Sequence, residues 1–387
     1  MYKLYKTISS NQSNSNLLDE IADCLKQLDL FVHSNEITLN EIIKITVFLN
    51  ASSNTNYLKI KQLLKKELAI YFKNEVPSIS YISQGNILNR HFLLEVITID
   101  KLAVAQKVQI QRKKYKNLNL TRVKYHNFDE IYINGITSST KVKNFEDKVT
   151  QSFNLLESIL NRENIGFQNI IKQWNYIENI TGFSNQNQNY KIFNTIRSTY
   201  YEKNNLKNNY PAATGIGMKN GGFVMDIIAI TNLAEHQIQS IDNPKQVQPY
   251  NYSGSVIEQV KGEIIDTTQK PKFERAKFIQ NQFLKTLYVS GTASIIGEKS
   301  VHENEMILQT EATLLNIKEL FDLTNKTDHL FKNHLKINNF RVYIKHESHL
   351  KEIDDSCKKY FKDIEPIYLI SDICRNELLI EIECIAD

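Results

Sequence analysis

Two carboxyl groups stand at alternate positions in the run Leu378-Leu379-Ile380-Glu381-Ile382-Glu383-Cys384-Ile385, near the C-terminal end of the chain. The rest of the run is apolar and predicts a β-strand. Side chains alternate faces along a strand, so Glu381 and Glu383 point one way and Leu378, Ile380, Ile382 and Cys384 the other. Two carboxyls aimed together from a hydrophobic strand are costly to bury unless paired or protonated. Desolvation and a like charge nearby both raise a carboxyl pKa. Glu381 is therefore a candidate general acid, and Glu383 the neighbour that keeps it protonated. The strand is entered through Cys374-Arg375. No partner histidine is apparent for Cys374, which argues against a nucleophilic thiol.

The elements that must position these groups recur along the chain. Leu93-Leu94-Glu95-Val96-Ile97, Val224-Met225-Asp226-Ile227-Ile228 and Leu379-Ile380-Glu381-Ile382-Glu383 each carry an acidic residue third in an apolar run. On this alignment Glu95 and Asp226 are equivalents of Glu381 and, lacking a Cys-Arg pair upstream, read as structural or vestigial. Strands at 45–49, 171–176 and 340–344 precede them. Apolar residues at helical spacing predict helices over roughly 16–28, 145–161 and 305–321, and again over 56–72, 188–203 and 348–362. Strands at 131–135 and 287–291, each ending in glycine, open the last two units. Each unit reads as an α+β layer, a sheet with two helices on one face. Three layers in one chain can bury their open sheet faces against one another. The expected units are 1–112, 113–240 and 241–387, with boundaries near 105–118, where the charge run Gln111–Lys116 lies, and near 231–245.

Length and charge set the class. The chain has 387 residues, 41% hydrophobic, with 47 basic and 43 acidic residues for a net charge of +4. That balance gives no electrostatic footprint for nucleic acid or a membrane surface. No apolar run nears the roughly 20 residues of a membrane span. Cys24, Cys357, Cys374 and Cys384 show no CxxC spacing, and the nine histidines form no metal motif. The expectations are a reduced, cytoplasmic setting without metal or other cofactor.

Several segments carry a family likeness. They include Gln173-Trp174-Asn175-Tyr176, Tyr190 with Phe193-Asn194 and Arg197, and Tyr210-Pro211-Ala212-Ala213-Thr214-Gly215. They continue through Asn243-Pro244-Lys245-Gln246, Tyr250 and Tyr252, Phe273-Glu274-Arg275, Ser290-Gly291-Thr292-Ala293-Ser294, and Cys374-Arg375 to Glu381. The repeated unit with its closing "EIE" strand resembles the Rid/YjgF-like (chorismate mutase-like) superfamily, and the segments beyond about 165 resemble its chorismatases. The first 110 residues share only the general pattern. The resemblance implies three fused units forming a pseudo-trimer, a monomer sufficient in itself, and one active site.

For the reaction, the resemblance implies cleavage of chorismate with loss of pyruvate. Glu381 would be the proton donor, while Cys374 and Ala293 would steer the product. Cysteine at 374 resembles the branch that forms 3-hydroxybenzoate rather than the branch that hydrolyses chorismate to a dihydroxycyclohexadiene carboxylate. Two substrate carboxylates call for guanidinium partners, and Arg197, Arg275 and Arg375 are the candidates. Tyr210, Tyr250 and Thr292 are candidates for neutral hydrogen bonds. The chain departs from the family at Gln269-Lys270-Pro271, where a substrate-contacting arginine is either missing or replaced by Lys270, and at Gly297-Glu298-Lys299, where a histidine is common. An imine deaminase would need an arginine in the segments at 76–79, 211–214 or 365–368, and none holds one. A binding protein that kept the fold without catalysis is the remaining alternative.

Overall fold

The computed structural model describes residues 3–11, 16–100, 108–254, 266–327 and 335–387. Its first sheet contains β1 (Lys3–Ile8), β2 (Ile42–Leu49), β3 (Ser78–Ile82) and β4 (Phe92–Ile99), with helices α1 (Leu17–Ser34) and α2 (Asn54–Tyr71) between them. The strand order is β1-β4-β2-β3, with β2 and β3 parallel and the other pairs antiparallel. Helix starts follow the sequence. Asn16 accepts the Leu18 and Asp19 amides, and Ser53 accepts that of Asn56, each satisfying donors the first turn leaves unpaired.

The second sheet takes β5 (Gln109–Tyr115), β6 (Leu118–Lys124), β7 (Asp129–Ile136), β8 (Ile170–Glu178), β9 (Ala212–Met218) and β10 (Phe223–Thr231). Helices α3 (Phe145–Arg162) and α4 (Asn189–Lys203) accompany it. The third takes β11 (Ile238–Ile241), β12 (Ala276–Gln280), β13 (Lys285–Ala293), β14 (Ile337–Ile344), β15 (Ile367–Ile370) and β16 (Ile380–Ala386), with helices α5 (Met306–Thr327) and α6 (Leu350–Tyr360). The orders β7-β10-β8-β9 and β13-β16-β14-β15 repeat that of the first sheet. Each sheet packs one face against its own helix pair. The opposite faces meet in a shared core that includes Phe48, Leu93, Trp174, Tyr176, Val224, Tyr288 and Tyr343. Among the described residues no helix is long and apolar enough to cross a membrane.

Three expectations change. The charge run 111–116, expected at a boundary between units, lies in β5 and its turn, pairing with β6 around Lys116 in the left-handed region (φ 51°). Its charged side chains suit the exposed edge of a sheet. Residues 101–107, just before it, lie outside the described residues. The expected breaks after 112 and 240 consequently fall inside β5 and β11, strands hydrogen-bonded into the second and third sheets. An N-terminal strand, β1, also opens the first sheet, where only the later two sheets were expected to have one.

The third change concerns register. Thr46 faces Glu95, Trp174 faces Asp226 and Arg341 faces Glu383 across the central pairs. Asp226 sits at a register shift beside Gly135, as Glu383 does beside Gly291. Glu95 and Asp226 thus correspond to Glu383. The positions matching Glu381 are Leu93 and Val224, opposite Phe48 and Tyr176 where Glu381 faces Tyr343. A two-residue slip keeps side chains on one face, which is why alternation alone could not detect it.

Candidate active site

β16 runs between β13 and β14. Ile380, Ile382 and Cys384 enter the helix-side core, leaving Glu381 and Glu383 on the inner face. Glu383 is fully engaged. Its oxygens accept from Lys172 Nζ at 2.8 Å, Trp174 Nε1 at 2.7 Å, Thr214 Oγ1 at 2.5 Å, Arg341 Nη1 at 3.0 Å and Tyr343 OH at 2.6 Å. Burial pushes its pKa up, but the Lys172 and Arg341 charges override this and hold it at about 2.

Glu381 is the opposite case. It is 4% exposed, and no hydrogen bond reaches its carboxyl from any described residue. Burial raises its pKa, Glu383 raises it further and Lys172 offsets only part, leaving it at about 8. The group is therefore largely protonated at neutral pH. Room for it is made by Gly291, where any Cβ would collide with Oε1 of Glu381. Thr214 fixes that backbone by accepting the Gly291 amide at 3.0 Å.

Beside Glu381 lie Cys374 and Tyr190. The Cys374 thiol is pushed up to about 12, chiefly by burial and then by Glu381, so it stays neutral. Tyr190, on α4, also interacts with Glu381 and Cys374, and with Arg197 and Tyr252. Arg197 Nη2 donates to Asn194 Oδ1 at 2.7 Å, and the guanidinium lies 4.8 Å from the Phe193 ring centre. Arg275 Nη2 donates to Tyr252 OH at 2.7 Å and to the Val247 carbonyl at 2.9 Å. Arg375 donates to the Glu298 carbonyl at 3.2 Å and Ser300 Oγ at 3.1 Å, and lies over Tyr252 at 5.5 Å. The Glu274 carboxylate, a possible partner for Arg275, is taken by Lys277 at 2.7 Å. No carboxylate of a described residue pairs with Arg197, Arg275 or Arg375, and the buried Nε atoms of Arg197 and Arg275 have no partner. Uncompensated buried guanidinium is costly, and an anionic ligand would relieve the cost.

Tyr210 stacks 5.6 Å from Tyr201 and lies 5.3 Å from Tyr250, on the Arg197 side of this cluster. Ala293 faces Glu381 directly and shares its side of the sheet. Thr292 does not belong with them. It faces Ile382 in register, which puts it on the helix side, and its hydroxyl donates to the Ser290 carbonyl at 2.9 Å. Lys270 follows a short turn that α4 touches through the 2.7 Å bond from Ser198 Oγ to the Thr268 carbonyl. Residues 255–265, upstream of it, lie outside the described residues. Sequence reasoning missed Lys172 and Arg341 as partners of Glu383, and Gly291 as the space for Glu381. The available signal was a cation at an inward position of an apolar strand. Two polar surface clefts of about 620 and 350 Å³ lie elsewhere, and none of the expected site residues lines them.

Fold and site together define an α+β protein with one protonated carboxyl, linked through Tyr190 to a buried arginine that no carboxylate of a described residue pairs with. The family described as chorismatase FkbO/Hyg5-like, N-terminal, matches residues 106–230. A 3-hydroxybenzoate synthase of Streptomyces hygroscopicus is 28% identical over 231 residues, covering 57% of this chain and 64% of the relative. A chorismatase of Streptomyces rapamycinicus is 26% identical over 227 residues, covering 57% and 64%. Both matches thus span less than two thirds of the relative's length. A crystal structure of a chorismatase superposes with a TM-score of 0.69 at 15% identity, covering 100% of this chain and 98% of the other. The chain is thus similar in sequence to chorismatases over part of its length, and it shares the fold of that solved structure.

Proposed function

We propose that this chain cleaves chorismate, releasing pyruvate and forming 3-hydroxybenzoate. One observation carries the reading: a buried carboxyl with a pKa of about 8 and no hydrogen bond from the described residues shares Tyr190 as a neighbour with Arg197, a buried arginine that no carboxylate of a described residue pairs with. Chorismate is a dicarboxylate with an enolpyruvyl ether. Arg197, Arg275 and Arg375 would bind and orient its carboxylates. Glu381 would deliver its proton to the terminal methylene carbon of the enol ether, a slow protonation that needs a positioned acid. The resulting oxocarbenium ion would collapse with loss of pyruvate. Cys374, small and neutral, would keep water from the ring and favour internal displacement, a route that consumes no water overall. Tyr210 and Tyr250 would add neutral contacts, with Ala293 leaving room opposite Glu381. Glu383 would act by holding a negative charge beside the acid, since its own oxygens are occupied.

Three Rid/YjgF-like units closed as a pseudo-trimer would account for the repeated strand order and the shared core, and would let a monomer hold one complete site. Free thiols at all four cysteines suit a reducing cytoplasm. Hydrolysis to the dihydroxycyclohexadiene carboxylate is the second reading, because the relatives include proteins named only chorismatase. Deamination is disfavoured because β3, β9 and β15 hold no arginine. The test is incubation with chorismate, followed by pyruvate quantification and separation of the aromatic from the diene product. Pyruvate with 3-hydroxybenzoate supports the proposal, and pyruvate with the diene supports the second reading. Tight chorismate binding without pyruvate identifies a binding protein and overturns both.

A further inference from the structure

Glu383 belongs to a buried ion cluster to which every sheet contributes. The central strands supply Lys44, Lys172 and Arg341, and the strands beside them supply Glu95, Asp226 and Glu383. Arg341 is shared. Its Nε donates to Glu95 Oε2 at 2.7 Å and its Nη1 to Glu383 Oε1 at 3.0 Å. Lys44 Nζ lies 3.6 Å from Glu95 and interacts with Asp226, which accepts from Ser80 Oγ at 2.6 Å and the Gly135 amide at 2.7 Å. Lys172 pairs with Glu383 at 2.8 Å. With all six ionised, three cations meet three anions. Glu381 stands beside this balanced set as a fourth carboxyl.

We infer that Glu95, in the sheet farthest in sequence from the acid, is a positioning residue for Glu381: by claiming part of Arg341 it keeps the cluster balanced, so a negative charge on Glu381 finds no spare cation. The inference rests on Glu381 being the proton donor. Removing the Glu95 charge frees Arg341 for Glu383 and leaves the cluster net positive, which makes ionised Glu381 less costly. The groups facing Glu381 are Glu383 on its own strand, Tyr343 opposite it on β14, Lys172 on β8, Tyr190 on α4 and Cys374 on the preceding loop. None of them is altered by a substitution at 95.

The experiment is the pH dependence of kcat/KM for Glu95→Gln, Asp226→Asn and Glu95→Asp, with the protonated-carboxyl infrared band of Glu381 (absent in Glu381→Gln) titrated in parallel. Glu95→Gln should move the alkaline limb and the band's midpoint down by about one pH unit. Asp226→Asn, which removes the same charge from another sheet, should move both the same way. Glu95→Asp, which restores the charge, should sit near the wild type. Unmoved midpoints in folded Glu95→Gln or Asp226→Asn overturn the inference, and Asp226→Asn keeps it testable should Glu95→Gln not fold. A band that still responds while Glu381→Gln retains turnover sinks the functional reading instead.

Discussion

Two carboxyls two residues apart on β16 occupy opposite electrostatic worlds. Glu383 meets two cations, an indole and two hydroxyls, and is held at about 2. Glu381 meets a glycine backbone, a thiol and the repulsion of Glu383, and rises to about 8. The same contrast separates the sheets. Glu95 repeats the ion-paired state of Glu383, and Asp226 is hydrogen-bonded by Ser80 and the Gly135 amide although burial raises its pKa, whereas the places that match Glu381 hold Leu93 and Val224. On the proposed reading, acid chemistry belongs to one sheet only. There, what would make a carboxyl reactive is the absence of partners among the described residues, arranged next to a neighbour that has several.

The largest effect should come from removing the acid. Glu381→Gln should lower pyruvate release from chorismate by about 10³-fold or more while leaving chorismate affinity nearly unchanged. Coupled pyruvate assay and calorimetry would read the two quantities, and wild-type turnover would break the contrast between the carboxyls.

The arginines come next. Arg197→Met or Arg275→Met should weaken chorismate binding by roughly 10- to 100-fold, the scale of a lost charged hydrogen bond. Each should also raise thermal stability in the absence of ligand, since an uncompensated buried charge disappears. A variant that binds as well as the wild type but melts lower would mean that the arginine is structural.

Gly291→Ala should cost about 10-fold or more in kcat with a smaller change in KM, because the added methyl displaces the Glu381 carboxyl. An equal loss for Gly215→Ala, where a Cβ would meet the Tyr190 ring at 3.0 Å, would show the cleft as a whole to be sensitive rather than the acid.

The pH response has opposite signs at the two carboxyls. Glu381, raised above its ordinary value, must be protonated to act, so activity should fall as pH rises through about 8. Its ionisation also opposes folding over the span from the ordinary carboxyl value up to about 8. Glu383, lowered to about 2, contributes stability above its ordinary value and loses it as pH falls toward 2. Glu381→Gln should accordingly be more stable than the wild type at pH 9, by roughly 2–5 kcal/mol, with little difference at pH 4. Paired thermal melts would show this, and identical curves at both pH values would contradict it. The smallest effect is expected at Cys374. Replacement by Ala should shift product from 3-hydroxybenzoate toward the diene with less than about a 10-fold change in total pyruvate, read by chromatography.

Much of this was legible in the chain itself. The period of two placed Glu381 and Glu383 together on the inner face, the helical spacings located six α-helices but ended α1 and α5 six residues short of Ser34 and Thr327, and the three-fold repetition of elements foretold three sheets. Local patterns carry that information because they depend only on neighbours along the chain. Partnership does not. Glu383 is held by Lys172, 211 residues away, and Glu95 by Arg341, 246 residues away. Nothing in an alternating pattern tells which of two same-face carboxyls will meet those cations. That choice, the face taken by Thr292 and the space above Gly291 were decided when the sheets packed, because strand register and close approach set distances that sequence spacing leaves open.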